Sequence, residues 1–114
     1  MKLTDVIQNL NLTVRSAQGN LGREVTGGYA SDLLSDVLAH SNEGDLWITL
    51  QIHQNIVAVA SMKNLAGIVL VNSREPEKET LEKAQEEDVV IMVSDLSTFE
   101  VVGRLYGLGV TGMN

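Results

Sequence analysis

The sequence predicts an α/β fold, a three-layer α/β/α domain built on a mainly parallel sheet. Two observations carry that reading. Three short runs are almost wholly apolar: Leu46-Trp47-Ile48-Thr49-Leu50, Gly67-Ile68-Val69-Leu70-Val71 and Val89-Val90-Ile91-Met92-Val93. Strands without a polar side are buried on both faces, as in parallel sheets covered by helices. Segments of helical pattern separate the runs, and a parallel crossover needs a connection of that kind. Parallel strands are expected near 46–51, 67–71 and 89–93.

The elements follow in order. Leu3, Val6, Ile7 and Leu10 share one helical face, with Thr4 as the expected N-cap. Leu12 and Val14 suggest a short strand. The stretch from Gly19 to Gly28 is glycine-rich, and its Thr26-Gly27-Gly28 segment is expected to turn tightly. Ser31 is expected to cap a second helix with Leu33, Leu34, Val37 and Leu38 as its buried stripe. A loop at 41–45 precedes the first apolar strand.

Asn55 can cap a helix running to about Lys63. Its Ile56, Val57, Ala58, Val59, Ala60 and Met62 are apolar almost all round. Such a helix must be covered on all sides, by neighbouring helices or by a second copy. A homodimer burying at least ~1,000 Å² in total is expected on that ground. Pro76 suits the first position of a helix reaching about Glu87, with Leu81 and Ala84 inward. The acidic run from Glu75 to Asp88 reads as its solvated face. Ser97 and Glu100 have capping-box spacing for a last helix, with Phe99, Val102, Leu105 and Tyr106 inward. The tail from Gly107 to Asn114 is glycine-rich and expected to fray.

Composition narrows the function. A chain of 114 residues suits one domain, here spanning 1–114 with no visible linker. Its net charge of −7, without a cluster of Lys or Arg, argues against nucleic acid as a partner. The sequence has no cysteine, which fits a cytoplasmic protein and removes thiolate metal sites and thiol catalysis. No apolar run approaches the roughly 18 residues of a membrane span.

Candidate chemistry lies at the carboxyl ends of the strands, where open parallel sheets bind ligands. Those ends offer Gln51, His53, Gln54 and Asn55, then Asn72, Ser73 and Arg74, then Ser94, Asp95, Ser97 and Thr98. The spacing of Gly22 and Gly27 is superficially that of a P-loop. Gly28 and Tyr29 stand where the phosphate-binding Lys and the Mg²⁺-binding Ser or Thr belong, so a kinase or NTPase is rejected. His40 and His53 have no metal-ligand spacing. His53 and Asp95 can meet as a pair on the rim, but no nucleophile with a supporting triad is visible. No metal, cofactor or catalytic residue is assigned.

The segment from Val25 to Leu38, with Thr26-Gly27-Gly28-Tyr29-Ala30-Ser31-Asp32 at its heart, resembles the signature of DRTGG domains. Gly67 to Pro76 and Ser94 to Phe99 are similar to the second half of the same family. Glu24 and Val25 replace the Asp and Arg of the name-giving motif. The resemblance implies a fold like the N-terminal domain of HPr kinase/phosphatase. It also implies a regulatory role, since such domains accompany adenylate-sensing CBS pairs in pyrophosphatases. Stand-alone copies resemble proteins encoded beside iron-only hydrogenase and sensor-kinase subunits.

The expected function is therefore a non-catalytic regulatory domain that binds a nucleotide, such as an adenine nucleotide, or another small anion. The alternative is a protein-interaction adaptor for a redox or signalling complex. The ligand site is expected between the glycine turn and the strand ends at Val71 and Val93. It comprises Thr26, Gly27, Gly28, Ser31, His53, Asn72, Arg74, Ser94 and Asp95. Backbone N–H groups of the turn and the charge of Arg74 would hold the anion.

Overall fold

The computed structural model describes residues 1–113. Its strands are β1 (Thr13–Val14), β2 (Gly27–Ala30), β3 (Asp45–Thr49), β4 (Gly67–Leu70) and β5 (Ile91–Val93). Its α-helices are α1 (Leu3–Leu10), α2 (Leu34–His40), α3 (Asn55–Lys63), α4 (Lys78–Glu87) and α5 (Thr98–Gly107), with one 3₁₀ turn at Gln18–Asn20. The sheet order is β1-β5-β4-β3-β2. Strands β2 to β5 are parallel, with Leu46 opposite Gly67 and Ile68 opposite Ile91. The short β1 runs antiparallel to β5, pairing Thr13 with Val93. The three strands legible in the sequence are parallel, and the α/β class holds.

Alternation along each strand builds two cores. Leu46, Ile48, Val69 and Met92 face α1 and α5, where Leu3, Val6, Leu10, Val101 and Leu105 meet them. Trp47, Ile68, Leu70 and Ile91 face the opposite layer with Val37, Ile56, Val57 and Ala84. Helix α3 contacts α2 on one side and α4 on the other. Its apolar circumference is thus covered mainly by neighbouring helices, and Met62 is left 74% exposed. This helix does not require a second copy.

Several local expectations need correction. Helix α1 starts at Leu3, one turn position before the expected Thr4 cap. The reason is tertiary: Leu3 N–H donates to Arg23 O at 2.8 Å and Thr4 N–H to Leu21 O at 3.2 Å. Neighbouring backbone thus satisfies the free N–H groups that a cap would serve. Asp5 turns back to accept from Lys2 N–H at 3.1 Å. Helix α4 starts at Lys78 rather than Pro76, because Glu77 N–H is held by Ile52 O at 3.2 Å. Its buried positions are Thr80 and Ala84, with Thr80 Oγ1 donating to Ile52 O at 2.6 Å.

The glycine stretch gave the largest departure. Thr26-Gly27-Gly28 is not a turn: Gly27 begins β2, the far edge strand. Neither Gly27 nor Gly28 has the positive φ that Gly44 adopts. Helix α2 consequently starts late, at Leu34, and Ser31 does not cap it. Ser31 Oγ instead accepts from Leu33 N–H at 3.2 Å, closing a local turn. Of the expected stripe only Val37 is fully buried, and Leu33 is 64% exposed.

Helix α5 is capped by Ser97 as expected, Oγ accepting from Glu100 N–H at 3.4 Å. Its inner face is Val101 and Leu105, however, and Phe99, Val102 and Tyr106 lie exposed. The tail beyond α5, expected to fray, packs against the domain as far as Thr111, and Met113 is 93% exposed. Val110 is buried, and Thr111 O accepts from Gly28 N–H at 3.0 Å along the edge of β2. Asn114 lies outside the described residues. No helix among the described residues is long and apolar enough to cross a membrane.

Candidate functional site

The loops after β4 and β5 are knitted together at the carboxyl end of the sheet. Asn72 and Ser73 both adopt left-handed backbone, with φ of 56° and 57°. Asn72 N–H donates to Leu96 O at 2.9 Å and Ser73 N–H to Ser94 O at 2.8 Å. Ser73 Oγ donates to Asp95 Oδ1 at 2.8 Å. Ser94 is buried, its Oγ accepting from Leu96 N–H at 3.1 Å. Two consecutive non-glycine residues with positive φ are costly, and this bonding holds them in place.

Beside that junction lies a polar pocket of about 200 Å³, lined by Leu10, Asn11, Ser94, Asp95, Leu96 and Arg104. Three elements build it. Asn11 ends α1 in left-handed backbone, with φ of 53°. Ser94 to Leu96 follow β5, and Arg104 projects from α5. The guanidinium Nε of Arg104 is 3.7 Å from Glu100 Oε2, too far for a hydrogen bond. Asn11 and Arg104 escaped the sequence reading. Finding them required knowing that β1 folds back against β5, which brings the end of α1 to the strand-end rim.

The nine expected site residues do not form one site. Thr26 and Gly27 lie at the amino end of β2, where Gly27 is paired with Asp45 at the start of β3. Asn72, Ser94 and Asp95 follow the carboxyl ends of β4 and β5. The glycine segment is therefore at the opposite end of the sheet and at its far edge. Its amides are also used internally: Thr26 N–H by Gly44 O and Gly28 N–H by Thr111 O, both at 3.0 Å. Ser31 is on the carboxyl side of β2, where its carbonyl accepts from Trp47 Nε1 at 2.8 Å.

His53 does not meet Asp95. Its Nδ1 is 2.8 Å from Glu77 Oε1, on an exposed surface. Arg74 is exposed and lines no part of the pocket. It does not pair with its neighbouring glutamates, because Arg15 takes Glu75 with two bonds of 2.8 Å and His53 takes Glu77. The paired hydrogen bonds from Arg15 hold the Glu75 carboxyl below its ordinary pKa. At the end of β3, Asp32 Oδ1 accepts from Thr49 Oγ1 at 2.9 Å and from Leu50 N–H at 2.7 Å. That aspartate locks its loop and is structural. Among the described residues no three His, Asp or Glu side chains gather to hold a metal ion.

A second, apolar hollow of about 70 Å³ lies between β2, α5 and the tail, walled by Tyr29, Ile48, Leu105, Tyr106 and Val110. The Tyr29 side chain itself packs on the opposite face of the sheet, its hydroxyl donating to Asp36 Oδ2 at 2.9 Å.

The DRTGG domain family matches residues 5–108, nearly the whole chain. The chain belongs to the DRTGG domain family. No curated protein matches its sequence closely enough to count as a relative. In structure, this DRTGG domain is similar to the regulatory region of Clostridium perfringens pyrophosphatase. That region comprises CBS and DRTGG domains and was crystallised with its activator, diadenosine tetraphosphate. The TM-score is 0.70 at 14% identity, so the likeness is one of fold. The match covers 97% of this chain and 48% of the pyrophosphatase region, about half its length.

Proposed function

We propose that this DRTGG domain is a non-catalytic regulatory module that senses a small anionic ligand, an adenine nucleotide or part of one. The observation that supports it is the polar pocket beyond the carboxyl end of β5, lined by Asn11, Ser94, Asp95 and Arg104. A few polar groups in a concavity beyond the strand ends are what a ligand site in an open α/β sheet requires. The adenine nucleotide bound to the similar pyrophosphatase region points in the same direction. A cytoplasmic setting, where such nucleotides occur, accords with the cysteine-free sequence. Thermal shift with a panel of adenine nucleotides and sugar phosphates tests the reading. A ligand at 100 times its Kd adds about 2.7 kcal/mol of stability. Absence of any shift at millimolar concentration overturns it.

A second reading, a protein-interaction adaptor, is favoured by a different observation. Phe99, Val102 and Tyr106 are exposed together along α5, Phe99 at 86%. Aromatic residues on an open helix face suit a protein contact. This face also supports the homodimer, on another helix from the one that suggested it. Light scattering at high micromolar concentration decides the oligomeric state, and a Phe99→Asp variant tests whether α5 is the contact.

A further inference from the structure

The contents of the strand-end pocket restrict its ligand further than its position does. At about 200 Å³ it is smaller than the ~300–1,000 Å³ usual for sites that enclose a whole drug-sized ligand. It contains one cation, Arg104, ion-paired with Glu100 at 3.7 Å but beyond hydrogen-bond distance, so its N–H donors bond to no described residue. It also contains a carboxylate. Asp95 spends Oδ1 on Ser73, and Oδ2 remains to accept from a hydroxyl. Asn11 adds an amide that bonds to no other described residue, able both to donate and to accept. Leu10 and Leu96 supply apolar wall for ring carbons.

We propose that this pocket takes a polyol bearing a single phosphate group, such as the ribose phosphate portion of a nucleotide, with any base left outside. Arg104 holds the phosphate through paired N–H donors. Asp95 and Asn11 hold the hydroxyls, as a carboxylate does for a ribose diol. A polyphosphate is disfavoured, because one guanidinium cannot balance several charges beside Asp95 in a chain of net charge −7. This inference rests on the pocket being the ligand site.

Calorimetric titration of the whole chain with ribose 5-phosphate tests it, alongside ribose, inorganic phosphate, ATP and diadenosine tetraphosphate. Ribose 5-phosphate should bind at least ~10-fold more tightly than any of the others, the scale of one lost charged hydrogen bond. Arg104→Gln should weaken it by ~10-fold or more, and Asp95→Asn should weaken ribose 5-phosphate without weakening inorganic phosphate. Both side chains are exposed, and thermal melts check that the variants fold. Tighter binding of ATP or the dinucleotide that Arg104→Gln abolishes would overturn the ligand class and leave the pocket as the site. Binding that neither substitution affects, or no binding by any of the five compounds, would overturn both.

Discussion

The hydroxyl of Ser73 donates to Asp95 Oδ1 at 2.8 Å, joining the loop that leaves β4 to the loop that leaves β5. The bond spans two left-handed residues on one side and the pocket wall on the other, so it couples backbone strain to site geometry. Ser73→Ala keeps the positive φ and loses the bond, and should cost about 1 kcal/mol. Ser73→Gly also loses the bond but relieves the strain, which is worth ~1–2 kcal/mol. Glycine should therefore be better tolerated than alanine in urea denaturation. The reverse order would show that the loop stores no strain.

Helix α5 offers a direct test of which stripe is inward. Leu105 is 2% exposed, and Leu105→Ala should cost about 2–5 kcal/mol. Phe99→Ala and Tyr106→Ala remove larger side chains from the open face and should change monomer stability by no more than ~0.5 kcal/mol. Equal losses at Leu105 and Tyr106 would mean that the helix is rotated from the orientation described here.

Gly44 and Thr26 form a pair that substitution can couple. Gly44 has φ of 83°, and a Cβ there would collide with Thr26 Oγ1. Gly44→Ala should destabilise by about 1–3 kcal/mol. Thr26→Ala removes the collision but not the backbone strain, and itself loses the bond from Thr26 Oγ1 to Glu43 O at 3.1 Å, so Gly44→Ala should cost less in the Thr26→Ala background than in the parent. Strict additivity in the double-mutant cycle would show that the two side chains do not meet.

The Asp36 carboxyl is held below its ordinary pKa by hydrogen bonds from Ser31 and then Tyr29, with His40 adding less. A depressed carboxyl contributes stability above its unfolded pKa of about 3.9 and loses it as pH falls through the folded value. Asp36→Asn should therefore be less stable than the parent at pH 6, and the gap should close as pH falls below about 4. Paired urea midpoints at pH 6 and pH 3 read this out. A gap of the same size at both would assign the loss to shape rather than charge.

The fold was legible where burial dictated sequence. Strands β3, β4 and β5 lie between two layers of helix, so their side chains are apolar on both faces and stand out as runs. Strand β2 was hidden because an edge strand needs neither face fully apolar, and Gly27-Gly28 has the composition of a turn. Reading those glycines as a turn also displaced the start of α2 and separated three of the nine expected site residues, Thr26, Gly27 and Gly28, from the strand-end rim. Ser94 and Asp95 were found because a polar pair directly after an apolar run marks a strand end. Asn11 and Arg104 were not, because their place depends on a two-residue antiparallel strand and on which side of α5 packs. That helix carries two adjacent apolar stripes, and periodicity alone does not choose between Phe99-Val102-Tyr106 and Val101-Leu105.

Trp47 is the sole tryptophan, fully buried in β3, with Nε1 donating to Ser31 O at 2.8 Å just beyond the end of β2. The domain therefore carries its own optical label. Its native emission should be blue-shifted and insensitive to aqueous quenchers, since the indole is walled from water. Among the described residues, the one polar contact of that ring is to the connection between β2 and α2. Any movement of this connection would reach the fluorophore first, before the rest of the domain unfolds. Ligand titrations on the unlabelled protein can thus separate local rearrangement at the sheet edge from global loosening, using excitation light alone.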